Sequence, residues 1–256
     1  MTANPIMGVV ETNRAHCETH GEYESVLMNV GQPRWTGCPE CSKQSIAAHE
    51  AARALAQPEE LRRLQAQAML EAAGVPRRLQ AATLKTYVSE TESQQAAHKL
   101  VCDYAKNLSE KLDSGDGLIM MGNMGTGKTH LAVGLIRVAT RTHSVLSRYV
   151  TAPALFSRVR ASYSGNGETE ADILAEYANT PLLVLDEIGV GKGSDNEMNL
   201  IYALLGRRYD ECRPTVIVTN LMSEDLKAWL GERVVDRLRE TSPVVLFNWD
   251  SHRGRA

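Results

Sequence analysis

The sequence predicts an α/β protein: a five-stranded parallel sheet with helices on both faces, preceded by a small separate module. Three observations predict it. From about residue 77 onward, short continuous apolar runs alternate with helical patterns. A glycine-rich loop joins the first apolar run to the helix that follows it, and three of the five cysteines fall within residues 1–43, ahead of that pattern. Short apolar strands separated by helices are covered on both faces, which calls for parallel pairing and crossover helices.

In chain order, residues 1–43 form a compact, glycine-rich segment and residues 44–76 a helical linker. The linker is rich in Ala, Gln, Leu, Glu and Arg, all good helix formers. Pro58 is expected to break or restart that helix, and Gly74 and Pro76 to end it. Residues 77–256 make the main domain. Its strand candidates are 118–121 (LIMM), 144–150, 181–187 (PLLVLDE), 215–219 (TVIVT) and 244–247 (VVLF). Helices are expected at 129–141, 152–162, 170–178 and 195–211, with two short ones at 223–229 and 231–240.

A formal net charge of -3 gives no global positive field, so contact with nucleic acid must come from local patches. No apolar run approaches a membrane span, and the N-terminus lacks the basic-then-apolar order of a signal peptide. A cytoplasmic, reducing compartment is the expectation. There, cysteines serve as metal ligands or buried thiols before disulfides.

Gly122-Asn123-Met124-Gly125-Thr126-Gly127-Lys128-Thr129 fits G-x-x-x-x-G-K-[ST] at every fixed position, between an apolar strand and a helix. The loop turns its N–H groups toward phosphates, and the following helix adds a favourable dipole. Lys128 is placed to reach the β and γ phosphates of ATP, and the Thr129 hydroxyl to ligate Mg²⁺. The strand 181–187 ends in Asp186 and Glu187. Asp186 is expected to hold Mg²⁺ and Glu187 to polarise the attacking water as a general base. Asn220, after the fourth strand, is a candidate to orient that water.

These elements together resemble the AAA+ ATPases. Leu230-Gly231-Glu232-Arg233-Val234-Val235-Asp236-Arg237-Leu238, followed by Phe247-Asn248-Trp249-Asp250-Ser251, resembles the DnaC-type loaders of replicative helicases. The segment from Val75-Pro76-Arg77-Arg78 to Tyr87-Val88 resembles the entry to their ATPase core. DnaI-type loaders and the IstB ATPases of transposition are close relatives. The resemblance implies strand order 5-1-4-3-2 and an ATPase that is weak alone. It also implies ATP-dependent self-association, a DnaB-type helicase as partner, and delivery of that helicase onto single-stranded DNA. An IstB-like helper role in transposition is the alternative. An arginine from one subunit would complete the next subunit's site; Arg237 is the first candidate and Arg233, one turn earlier, the second. Only nine residues follow the last strand candidate, so no C-terminal helical lid is expected; Arg253 in the basic tail is a candidate nucleotide sensor.

Cys17-x-x-His20 and Cys38-x-x-Cys41 each present two ligands from one tight knuckle, and together make a Cys₃His set suited to structural Zn²⁺. His16 is an alternative ligand, and a disulfide or unliganded thiols the alternative chemistry. The segment has too little apolar content to fold without a staple. DnaI-type loaders carry an N-terminal zinc module that engages the helicase, so residues 1–73 are expected to contact it. In initiator-type AAA+ proteins, helices inserted between strands two and three touch single-stranded DNA. Arg158 and Arg160 offer charge there, and Phe156 and Tyr163 offer stacking surfaces; the other reading of Phe156 is packing in the core.

Overall fold

The computed structural model describes residues 9–30, 32–165, 167–191 and 193–252. It divides into two compact units, Met1–Arg62 and Arg63–Ala256.

The first unit contains a three-stranded antiparallel sheet, β1 (Val9–Cys17), β2 (Gly21–Val30) and β3 (Gln32–Trp35), in the order β1-β2-β3. The β1–β2 turn lies between Cys17 and Gly21, which face each other across the ladder. Helix α1 (Pro39–Ala72) starts in this unit and ends in the second. It runs through Pro58 without the expected break. The residues on both sides are Ala, Gln, Glu, Leu and Arg, whose summed propensity outweighs one proline.

The second unit holds helices α2 (Glu92–Lys106) and α3 (Leu108–Ser114), then β4 (Leu118–Gly122), α4 (Lys128–Thr142) and β5 (Ser147–Thr151). Next come α5 (Ala152–Ser162), α6 (Glu170–Asn179), β6 (Leu182–Ile188), α7 (Asp195–Asp210) and β7 (Thr215–Thr219). Helices α8 (Ser223–Leu230) and α9 (Glu232–Thr241) lead to β8 (Val244–Phe247). All pairings are parallel and the order is β5-β6-β7-β4-β8, the expected 5-1-4-3-2 read from the other edge.

Each central strand feeds two cores, because successive side chains leave opposite faces. Leu118, Met120, Leu182, Val184, Val216 and Val218 join one cluster with α2 and α4. Ile119, Met121, Leu183, Leu185 and Ile217 join another with α5, α6, α7 and α9. The first of the α2–α3 pair is started by Thr91, whose hydroxyl accepts from the Gln94 N–H in a capping box. At the lower end of the sheet Arg208 is 1% exposed. Its guanidinium donates to the carbonyls of Tyr177, Ala178, Thr180 and Pro214 and to the Thr215 hydroxyl. It thereby satisfies the orphan carbonyls at the end of α6, and burial pulls its pKa down to about 9.

Candidate functional site: a phosphate cleft and a Cys/His cluster

The strand β4, buried at every position, delivers the chain into the loop 122–129 at the carboxyl edge of the sheet. Gly125 (φ 74°) and Gly127 (φ 93°) take left-handed conformations that side chains rarely adopt. Space enforces the same choice at Gly127, where a Cβ would lie 2.5 Å from the Tyr87 ring. The outside of the loop is held by its neighbours. Tyr87 Oη and Trp249 Nε1 both donate to the Thr126 carbonyl (3.0 and 3.3 Å), the Asn123 amide donates to Trp249 O, and His252 N donates to Gly125 O. The Phe247–Ser251 block thus acts as a splint on the phosphate loop.

Lys128 is 5% exposed, and its ammonium donates to the carbonyls of Gly122 (2.7 Å) and Asn123 (2.6 Å). The Thr129 hydroxyl donates to Asp186 Oδ2 at 2.9 Å. Tyr149 Oη donates to the same oxygen at 2.8 Å. Asp186, 3% exposed, is therefore held at Oδ2 by two hydroxyls and at Oδ1 by the Glu187 N–H (2.7 Å). Burial and the adjacent carboxylate push the Tyr149 phenol far above its ordinary pKa, so it remains a donor. Thr129 and Asp186 form the corner where a hydrated Mg²⁺ fits, with hard oxygen donors and room for water.

Glu187 is exposed and has φ 57°, in the left-handed region that a residue without glycine's freedom enters only under constraint. The β6–β7 register shifts between Leu185 and Ile188, a bulge that sends Asp186 inward and Glu187 out into the cleft. A cleft of about 330 Å³ is lined by Lys128, Thr129, Asp186, Glu187, Thr219 and Asn220, with Arg78 and Leu79 also on its wall. Lys128, Thr129, Asp186, Glu187 and Asn220, the residues expected to handle phosphate, magnesium and water from within the chain, line it together.

The remaining expectations are distributed differently. Phe156 is 1% exposed and belongs to the core, so it offers no stacking face. Arg158 is held by Glu168, Glu176 and Tyr177, an engagement that pins its charge inside the α5–α6 pair. Tyr163 is 60% exposed, and Arg160 projects outward while bonding Glu197 at 3.3 Å. On α9, Arg233 is exposed, whereas Arg237 lies over the Tyr209 ring (5.0 Å to its centroid). Arg237 lines a small crevice with Gly115 and Thr215, at the amino ends of β4 and β7, away from the carboxyl ends that border the cleft. Arg253 lies outside the described residues.

In the first unit the ligand atoms of Cys17, His20, Cys38 and Cys41 all lie within 4.8 Å of one another. Cys17 and Cys41 sulfurs are 3.6 Å apart, and His20 Nδ1 is 3.7, 3.7 and 3.3 Å from the sulfurs of Cys17, Cys38 and Cys41. A tetrahedral Zn²⁺ with Zn–S near 2.3 Å needs sulfurs about 3.8 Å apart, which these spacings meet. The knuckle prepares an anion: N–H groups of Thr19 and His20, with the His20 side chain, draw the Cys17 thiol down to about 6. The hydrogen bond to the neighbouring Cys17 sulfur, with burial and Cys38, pushes Cys41 up to about 11. The cluster is thus compatible with zinc bound through Nδ1, and His16 is not part of it. Gln44 stands one turn after Cys41 on α1, its side-chain amide 3.2 Å from His20 Nε2. With Nδ1 on a metal, Nε2 carries the proton, so Gln44 must present its oxygen.

Sequence reasoning missed Tyr149, Tyr87, Trp249 and Gln44 as site residues. Tyr87 and Trp249 fall in the blocks that carried the family resemblance. Nothing in one sequence marks Tyr149, an aromatic residue in a strand, or Gln44, a polar residue in a helix.

The fold and the cleft define a P-loop nucleotide-binding protein of the AAA+ type. Residues 43–256 match the family of IstB-like ATP binding proteins, and the chain belongs to that family. It is 33% identical over 207 residues to the replicative helicase loader DnaC of Escherichia coli K12, covering 80% of this chain and 82% of that one. The crystal structure of the DnaC helicase loader superposes with a TM-score of 0.62 at 28% identity, over 68% of this chain and 100% of the other. The crystal structure of DnaI shares the fold, with a TM-score of 0.58 at 23% identity over 68% of this chain and 95% of that one.

Proposed function

We propose that this chain is an ATP-driven loader that binds a replicative helicase and delivers it onto single-stranded DNA, with hydrolysis triggering release. The observation that carries the ATPase part is the meeting of Lys128, Thr129, Asp186, Glu187 and Asn220 in one cleft. Similarity to a protein named as a replicative helicase loader supports the rest.

Thr129 and Asp186 would hold Mg²⁺, which would supply neutralisation of the charge that develops on the phosphates. Lys128 leaves its two loop carbonyls and turns its ammonium to the phosphates. Glu187, exposed beside them, accepts a proton from the attacking water, and Asn220 orients that water. Asp186 keeps its position because Tyr149 holds the carboxylate oxygen.

Self-association supplies an arginine to the neighbouring copy's site. Arg233 is exposed for this role, and Arg237 reaches it by leaving the Tyr209 ring. Arg253 serves as nucleotide sensor. Of the four DNA candidates, Tyr163 and Arg160 remain available to a single strand. Zinc bound by Cys17, His20, Cys38 and Cys41 stabilises a module that engages the helicase, and Trp35 and Ile46, 45% and 59% exposed, are its apolar contacts. Among the described residues no helix is long and apolar enough to cross a membrane, in keeping with work in the cytoplasm.

A pull-down with the host's replicative helicase, with and without ATP, tests the reading. Nucleotide-dependent capture is expected. Filaments on duplex DNA with no affinity for the helicase would replace it with the transposition reading. Comparing Arg233→Ala with Arg237→Ala, in the presence of helicase and DNA, separates the two fingers: the true one keeps ATP binding and loses stimulated turnover.

A further inference from the structure

We infer that Arg78 is a second cationic contact for the triphosphate, supplied by the same chain from the segment that enters the ATPase domain. The inference rests on the ATPase reading above and concerns a residue given no role there.

Arg78 lies in the short 3-10 turn Arg77–Leu79 and lines the cleft together with Asp186 and Glu187. It makes no hydrogen bond and no ion pair among the described residues, and it is exposed. Its backbone, by contrast, is anchored. Pro76 O accepts from Leu79 N at 2.8 Å, Val75 is buried, and Leu79 packs on the core. One strand ties this segment to the metal corner. Tyr149 N donates to Ala73 O at 2.7 Å, while Tyr149 Oη holds Asp186. The neighbouring Arg148 donates to Ala72 O. The two ends of one residue therefore set the distance between the entry segment and the magnesium ligands. Arg78 is close enough for its charge to be felt at the Tyr149 phenol.

Charge balance calls for such a group. The cleft walls offer Lys128 against Asp186 and Glu187, and the ATP–Mg complex brings further net negative charge. A guanidinium in a fixed turn matches phosphate oxygens with two parallel donors. Arg78 shares the cleft with Lys128, Thr129 and Asp186, so the same triphosphate would meet all four side chains.

The full-length protein with Mg²⁺ is titrated with fluorescent ATP and ADP analogues, as wild type, Arg78→Ala, Arg78→Lys and Lys128→Ala. Arg78→Ala should weaken ATP by about tenfold and ADP by less than about threefold, the scale of one charge-assisted bond, with Arg78→Lys intermediate. Because Arg78 is exposed, thermal melting of the variants should match wild type. ATP affinity of Arg78→Ala within about twofold of wild type overturns the assignment, and so does an equal loss of ATP and ADP. A wild type that binds no ATP would instead remove the ATPase reading, and Lys128→Ala shows that the assay reports the cleft.

Discussion

Among the described residues of Met1–Arg62, only Ser25 and Cys38 are buried. In Arg63–Ala256, two apolar clusters cover the two faces of a five-stranded sheet. The second unit has the interior needed to overcome chain entropy by burial alone. The first does not, and what it has instead is four metal-type donors converging on a point. Zinc held by those donors, as proposed, would give the two regions different sources of stability. The difference also separates their chemistry: a closed Cys₃His set leaves no open position for a substrate, whereas the cleft is open.

The sharpest way to break the comparison is to disable one region and read the other. Lys128→Ala should reduce ATP affinity by at least about a hundredfold, since a charge-assisted contact to two phosphates is lost and a buried site is left unfilled, while metal content stays unchanged. Glu187→Gln should keep ATP binding and lower turnover by about 10²–10⁴, the range for a general base; equal turnover would remove Glu187 from catalysis.

Cys38→Ser, or chelation of the wild type, should unfold the 9–35 sheet, seen as amide exchange collapsing there. ATP affinity should hold within about twofold, because metal binding and folding are coupled only in that unit. Metal analysis of gently purified protein should give about one zinc per chain. Retained exchange protection without metal would mean the small sheet is stable on its own.

Two finer substitutions test the layer behind each site. Gln44→Leu should lower zinc affinity by about 10–100-fold in a chelator competition, with Gln44→Glu restoring it, because a donor His needs an acceptor on its far nitrogen. Tyr149→Phe should cost about 1 kcal/mol in the Mg²⁺ dependence of ATP binding, the worth of one hydrogen bond to Asp186. An unchanged Mg²⁺ midpoint would show that the Tyr149 hydroxyl is dispensable for holding the carboxylate.

Motif residues were legible because their chemistry demands a fixed local order. Gly125 and Gly127 must take positive φ, and Lys128 and Thr129 must open a helix, so Gly-x-Gly-Lys-Thr announces itself. Asp186 and Glu187 were legible as acids ending a strand. The opposite fates of their side chains were not, since those depend on a bulge against β7. Phe156 had two readings from sequence, stacking surface and core, and only the packing of α5 on the sheet chose the core. The strands of the first unit escaped notice because VVETNRAHC and GEYESVLMNV show no sustained polar–apolar alternation, and helix α1 continued through a proline that local rules would stop at.

What the amino-acid order determined by itself was therefore the set of local devices: apolar runs of strand length, glycines at two turns, a lysine and a threonine at a helix start, and two ligand pairs at knuckle spacing. Each is satisfied within a few residues, so neighbours along the chain suffice to specify it. Tertiary structure alone decided which distant groups met them: Tyr149 on Asp186, Tyr87 and Trp249 on the phosphate loop, Gln44 on His20, and Arg78 in the cleft. Those contacts join residues tens of positions apart through sheet order and helix packing, and hydrogen-bond reach is too short for any one segment to encode them.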